Sequence, residues 1–371
     1  MNKIRFVCPC HFGLESVLSF EVKRIGGEDL EVTDGRVAFS GDIGMLAKAN
    51  ICLATAERVL IELGSFEATS FEELFQGVKA LPLENFIAKT DRFPVKGHSL
   101  KSKLYSIPDC QSIIKKAAVE RLRSVYGISV FEETGALVQI RFNILKDKVS
   151  LCLDASGEGL HKRGYRRDSN AAPIKETLAA GIIDLAHVRS DSIVCDPMCG
   201  SGTLIIESAY KALRIAPGLK RRFAAETWAK LPQKMWEEER QAAKEAINKE
   251  STYRGIASDI DPDCVSLTAR NVKLAGVAPR ITVSKEDVRN YKPADGVITV
   301  CNPPYGERML ELREAEELYR AMGQSLCPSK RNPCYIISPH EEFEKFFGKK
   351  ADKKRKLYNG MLKCQLYMYF N

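Results

Sequence analysis

A chain of 371 residues, 44% hydrophobic and 28% charged, has the composition of a soluble globular protein and the length for two or three domains. No window approaches the ~18 uninterrupted apolar residues of a membrane helix, and Met1-Asn2-Lys3-Ile4-Arg5 runs straight into strand-like residues without a signal-peptide core, so a cytoplasmic protein is expected. The net charge of +8 is moderate, but Lys162–Arg167, Lys220–Arg222 and Lys349–Lys356 concentrate it in three clusters, which lean toward a polyanionic partner.

In chain order, Phe6-Val7-Cys8 reads as a strand, Leu14 to Ile25 as an amphipathic helix, Arg36 to Phe39 as a strand and Ile43 to Asn50 as a helix. A helix over Cys110 to Val125 has Ile113, Ile114, Ala117, Ala118, Val119 and Leu122 on its apolar side. Alternating runs at Ala136–Phe142 and Lys148–Leu153 predict a hairpin turning over Asn143 to Asp147. This half reads as an α+β module with a basic surface. Gly157 to Arg167 is rich in glycine and arginine and reads as a linker. Lys162, Arg163, Tyr165, Arg166 and Arg167 are its candidate RNA contacts, and a plain hinge is the competing reading.

Beyond residue 160 short apolar runs alternate with helices. Ser192–Cys195 ends on Asp196, Arg254–Ser258 on Asp259, Ile281–Val283 leads to Asp287, and Gly296–Val300 to Asn302. Helices are read at Thr203–Ile215, Asp263–Leu274 and Ala315–Leu326, and a further strand at Cys334–Ile337. The alternation predicts a parallel sheet covered on both faces, with ligands at the carboxyl ends of its strands. Residues 216–251 are an insertion, read as a helical elaboration in which Trp228 and Trp236 are packing residues.

Asp196-Pro197-Met198-Cys199-Gly200-Ser201-Gly202-Thr203 joins a strand to a helix and is a cofactor loop. Gly200 and Gly202 allow close backbone approach, and Asp196, Pro197, Cys199 and Thr203 are further candidate contacts. Loops of this kind serve dinucleotides and S-adenosylmethionine alike. A dinucleotide fingerprint wants a third glycine, where this chain has Ile205, and an acid about 20 residues on. Here Asp259, with Ile260 beside it, comes only after the insertion, placed to accept ribose hydroxyls. Asp287 fits an adenine amino group and Asp196 a methionine ammonium, which favours S-adenosylmethionine. Asp261, followed by Pro262, reads as a helix N-cap.

Asn302-Pro303-Pro304-Tyr305 carries the chemistry. A base amino group is a weak nucleophile because its lone pair is delocalised into the ring. The Asn302 side-chain oxygen and the Pro303 carbonyl can accept both amino hydrogens, the prolines fix that carbonyl's direction, and Tyr305 can stack on a base turned out of its helix. Neither a metal nor a covalent nucleophile is required. The twelve cysteines contain no CxxC pair and read as reduced, mostly buried thiols, with Cys301 a poor nucleophile.

At these residues the chain resembles the class I aminomethyltransferases, and more closely the bacterial family that joins an RNA-binding THUMP domain to such an enzyme. The likeness runs through Leu153–Gly157, Leu160–Arg166, Ala172–Ala180, Asp196–Thr203 and Asn302–Arg308. It is similar to the amino-terminal half of the fused large-subunit rRNA methyltransferase of enterobacteria, which modifies guanine N2. The resemblance implies a ferredoxin-like segment plus THUMP (roughly 45–156) within residues 1–160, and a Rossmann-like methyltransferase domain over 161–371. It also implies 23S rRNA or a large-subunit precursor as partner, and Lys175, Glu176 and Thr177 as secondary cofactor candidates, with Asn302 touching the cofactor too. The enterobacterial protein continues into a second methyltransferase, whereas this sequence stops at Asn371, so only the guanine-N2 activity carries over. A tRNA guanine or an adenine N6 as target, and a non-catalytic RNA-binding assembly factor, are the competing readings.

Overall fold

The computed structural model describes residues 3–166, 174–305 and 309–371. Two seven-stranded sheets organise the chain. The first contains β1 (Ile4–Pro9), β2 (Glu28–Thr33), β3 (Arg36–Gly41), β4 (Leu60–Glu67), β5 (Val95–Leu100), β6 (Ile140–Leu145) and β7 (Lys148–Asp154), in the order β2-β3-β1-β4-β7-β6-β5. Helices α1 (Glu15–Ile25), α2 (Gly44–Cys52), α3 (Phe71–Lys79) and α4 (Ile107–Tyr126) pack on one face. The run β1-α1-β2-β3-α2-β4 is a ferredoxin-like unit, and antiparallel pairing of β4 with β7 fuses the following β5-α4-β6-β7 unit to it.

The helices form where the sequence caps them. In α3, Ser70 and Glu73 make a reciprocal capping box. In α4, Pro108 sits in the first turn, and Gly127 ends the helix at φ 64, a left-handed conformation that glycine adopts freely.

The second sheet holds β8 (Ile193–Asp196), β9 (Arg254–Asp259), β10 (Ile281–Lys285), β11 (Val297–Cys301), β12 (Cys334–Ser338), β13 (Lys353–Asn359) and β14 (Leu362–Tyr369), in the order β10-β9-β8-β11-β12-β14-β13. Strands β8 to β12 are parallel, and β14 enters antiparallel beside β12. Around it lie α5 (Glu176–Leu185), α6 (Thr203–Leu213), α7 (Lys234–Glu245), α8 (Pro262–Ala275), α9 (Met309–Leu326) and α10 (Phe343–Phe347). The order reverses between β8 and β11, and that switch point opens the ligand crevice at the strands' carboxyl ends. An antiparallel β14–β13 pair beside β12 departs from the all-parallel dinucleotide sheet.

The insertion is a brace between the halves. Phe223, Trp228, Leu231 and Trp236 are buried in the core of the first sheet, and the Trp228 indole N–H donates to the Leu137 carbonyl at 2.9 Å. The tryptophans therefore pack, as the sequence suggested. Trp228→Ala leaves a large cavity, at a cost of about 3–5 kcal/mol, and should lower the melting temperature by on the order of 10 °C. A shift of only a degree or two in a calorimetric scan would reduce the insertion to surface decoration.

A second junction lies beneath α1. Leu14 and Val17 enter the core of the second sheet, where Leu14 packs against Gly181 so closely that a Cβ there would stand 2.3 Å from the leucine methyl. The Arg355 guanidinium closes the contact with bonds to the Gly13 carbonyl (2.6 Å) and Ser16 hydroxyl (2.7 Å).

Candidate active site

The loop after β8 is held from behind by α8. Thr268 donates to the Gly200 carbonyl (2.9 Å) and the Asn271 amide to the Ser201 carbonyl (2.8 Å). Gly200 and Gly202 take φ of 54° and 79°, and a Cβ on Gly202 would lie 2.9 Å from the Thr268 methyl. Pro197 and Cys199 are buried beneath the turn, and the Cys199 N–H donates to the Ser258 carbonyl at 2.9 Å, tying the loop to β9. Asp259 continues the tie, accepting from the Gly200 N–H (2.9 Å) and the Asp261 N–H (3.0 Å). Asp261 accepts from the Asp263 N–H (2.9 Å) as the N-cap of α8.

Asp196 ends β8 fully enclosed, its carboxylate accepting from the Met198 N–H at 3.3 Å. Burial pushes its carboxyl up to about 8; that N–H opposes the shift and the Asp259 charge adds to it. A buried carboxylate this poorly compensated suits an arriving cation such as a methionine ammonium. Next to Asp259, Ile260 is 55% exposed, an apolar surface at the strand end suited to a nucleoside face. Asp287 lies past β10, its carboxylate accepting from the Arg289 N–H at 2.9 Å. An enclosed acid, a glycine-lined turn opening α6 and an exposed apolar side chain at adjacent strand ends fit S-adenosylmethionine.

Asn302 follows β11 directly, and β11 pairs with β8 so that this motif and Asp196 share the crevice. Tyr305 turns inward, its hydroxyl donating to the Asn302 side-chain oxygen, with Asn359 at the end of β13 as a polar neighbour. The Asn302 side-chain oxygen is thus engaged by the protein's own tyrosine. Pro303 is buried; Tyr319 donates to the Pro304 carbonyl (2.9 Å), fixing the prolines without occupying the Pro303 carbonyl. Cys301 is buried, and burial pushes its thiol far above its ordinary value, the setting of a poor nucleophile.

The linker behaves otherwise than its composition suggested. Arg163 is buried against Glu207 (3.4 Å) and donates to the Leu160 carbonyl (2.6 Å), and the Tyr165 hydroxyl donates to the same Glu207 at 2.9 Å. Arg166 reaches the Ile174 carbonyl (2.9 Å), the Thr203 hydroxyl (3.0 Å) and Glu176 (3.0 Å). Arg163 and Tyr165 are therefore internal ties rather than RNA contacts, and Arg166 buttresses the cofactor loop. Lys162 stays exposed beside Glu158; Arg167 lies outside the described residues. The other clusters are partly consumed as well: Arg221 donates to the carbonyls of Glu158 and Gly159 (both 2.8 Å), and Lys354 pairs with Glu344 at 2.7 Å.

Burial lifts the Glu176 carboxyl to about 7 although Arg166 opposes the shift. Lys175 (3.2 Å) and the Thr177 hydroxyl instead engage Glu57, which also meets His11 at 3.1 Å. Burial works against the ionised Glu57, but these partners outweigh it and hold the carboxyl well below its usual range. Sequence reasoning missed Glu57 and Glu207, acids whose partners lie far along the chain.

Nine of the twelve cysteines are buried. Among the described residues no group of three His, Cys, Asp or Glu converges as a metal site, and no helix is long and apolar enough to cross a membrane.

The strand order and the crevice define a class I methyltransferase that uses S-adenosylmethionine. The chain belongs to the RMKL-like methyltransferase family, whose domain matches residues 163–368, and it carries an RlmL ferredoxin-like domain at 5–60 and a THUMP domain at 68–154. It is 41% identical over its full length to YpsC of Bacillus subtilis, covering 97% of a protein named, provisionally, as an RNA methyltransferase. It is 32% identical to the ribosomal RNA large subunit methyltransferase K/L of Psychromonas ingrahamii, of which it spans 50%. Among solved structures, SMU.472, a methyltransferase candidate crystallised with SAH, matches with a TM-score of 0.95 and 38% identity, over 100% of this chain and 99% of that one. A Listeria monocytogenes protein matches with a TM-score of 0.94 and 42% identity, over 100% of this chain and 96% of that one, and its name anticipates an N6-adenine-specific DNA methylase.

Proposed function

We propose that this RNA methyltransferase transfers the methyl group of S-adenosylmethionine to the exocyclic N2 of a guanine in 23S rRNA or a large-subunit precursor, in the cytoplasm. The observation that carries the reading is Asn302-Pro303-Pro304-Tyr305 at the end of β11, in one crevice with the enclosed Asp196. A motif of two fixed acceptors suits an amino group and nothing that lacks paired hydrogens. The cofactor supplies a methyl on a sulfonium. Asp196 neutralises the methionine ammonium, Asp259 takes the ribose hydroxyls, and Asp287 takes the adenine amino group against Ile260. Asn302 and the Pro303 carbonyl accept the base's amino hydrogens and concentrate its lone pair, and Tyr305 covers the base face once released from Asn302. Pro197, Cys199, Gly200, Gly202 and Thr203 shape the loop, with Glu176 behind it; Lys175 and Thr177 hold the neighbouring junction.

Residues 1–160 act as the RNA-binding module and 161–371 as the catalytic domain. The likeness to a large-subunit rRNA methyltransferase supports a large-subunit target, guanine N2 is what the sequence resemblance implies, and the Listeria relative's name keeps adenine N6 as the alternative. Deleting the gene should remove one N2-methylguanosine from 23S rRNA, seen by mass spectrometry of mapped fragments. Unaltered rRNA with a missing tRNA mark or a missing N6-methyladenosine would redirect the target.

A further inference from the structure

Two clefts meet at Phe12. One, of about 590 Å³, lies on the face of the first sheet opposite its helices, with Leu60 and Cys152 in its lining and Arg36, Arg58 and Arg141 around them. The other, of about 770 Å³, passes Lys175 and Lys356 and ends at Tyr358 of β13 and at Gly360 and Met361 in the β13–β14 turn. Cys10, Phe12 and Asp34 line both, so the two form one trough. It ends near the catalytic motif: Asn359, the last residue of β13, is a polar neighbour of the Tyr305 hydroxyl.

The positive charge of the trough lies on its sheet-face side. In the cleft that leads to the β13–β14 turn, Glu15, bonded to the neutral Gly13 and Gly35 N–H groups, Asp34 and Glu57 offset Lys175 and Lys356. Arg58 and Arg141 share a single buried acid, Asp154 (2.6 and 2.8 Å), leaving a net positive charge beside Arg36. At the catalytic end, Met361 is 99% exposed on the turn tip, where a thioether gains nothing from packing. The arm behind it is anchored: β13 and β14 pair up to Asn359 and Leu362, and Arg355 ties β13 to α1. Phe12, 55% exposed, meets Tyr358 edge-on at 5.9 Å. A rigid arm that holds an apolar side chain in water beside a base site has the form of a helix wedge.

We propose that the β13–β14 tip is a base-flipping wedge: Met361 fills the gap left in a paired RNA when the target base turns into the Asn302–Tyr305 site, and the trough past Phe12 carries the flanking strand toward Arg36, Arg58 and Arg141. This rests on the RNA methyltransferase reading above. The wedge offsets lost stacking, so Met361→Ala should lower kcat/KM on unmethylated, folded 23S transcript by about tenfold, with Met361→Leu restoring it. Affinity for S-adenosylmethionine in calorimetry and the melting temperature should not move, which a merely structural role would not produce. Equal turnover by Met361→Ala and wild type overturns the wedge. So does a defect seen only on ribosomal particles, which would make the tip a protein contact. Wild-type protein that leaves the transcript unmethylated would instead overturn the underlying target.

Discussion

Asn302→Ala is expected to lower kcat by on the order of 10²–10³-fold, the usual cost of removing one preorganised electrostatic partner of the transition state, while the affinity for S-adenosylmethionine stays within a few fold. Asn302 is held at the end of β11 with its oxygen turned to the Tyr305 hydroxyl, so the acceptor is already oriented before a base arrives. Alanine removes the acceptor and releases the tyrosine, but leaves the loop contacts of Gly200, Ser201 and Asp259 untouched. Single-turnover kinetics separate the steps: normal calorimetric binding with lost transfer is the expected pair. Unchanged turnover would remove Asn302 from the chemistry.

Asp196→Asn has the second large effect, and it acts in opposite directions on binding and stability. The Asp196 carboxyl, raised by burial to about 8, keeps a proton in the folded protein that the unfolded chain releases near the ordinary value of about 4. Between these limits the native state binds more protons than the unfolded state, so this group's contribution makes stability fall as pH rises from about 4 to about 8. Asparagine cannot ionise and lacks this slope, so cofactor-free Asp196→Asn should melt a few degrees above wild type at pH 8. The same change removes the partner of the methionine ammonium and should weaken S-adenosylmethionine by on the order of 10²-fold. In the wild type the arriving cation favours the carboxylate, so cofactor affinity should strengthen as pH rises toward 8, with proton release visible by calorimetry in buffers of different ionisation heat. A pH-independent affinity, or a variant that binds normally, would assign the ammonium to another group.

The catalytic half was legible because its chemistry sits where parallel strands end. Asp196, Asp259 and Asn302 each close an apolar run that period alone identifies, and Asp261 sits before a proline as an N-cap should. Strands without such a signature escaped. Most of β2, with Glu28, Asp29 and Glu31, is exposed, and β13 is the lysine-rich edge of its sheet. Edge strands carry charge where buried strands carry apolar residues, so neither shows alternation, and without β2 the ferredoxin-like order came from the family resemblance rather than from periodicity. The linker misled for a related reason. Charged side chains are read as solvated because most are, yet Arg163 and Tyr165 are buried on Glu207, more than 40 residues away in sequence. Nothing local announces such a pairing. The same holds for Glu57, which meets Lys175 and Thr177 across more than 110 residues.

The most direct measurement of the central claim is transfer of labelled methyl from S-adenosylmethionine by the purified protein to unmethylated 23S rRNA, followed by digestion to nucleosides. Label eluting with N2-methylguanosine at one mapped position, and lost with Asn302→Ala, is the predicted result. Label in N6-methyladenosine, or transfer that survives Asn302→Ala, would contradict it.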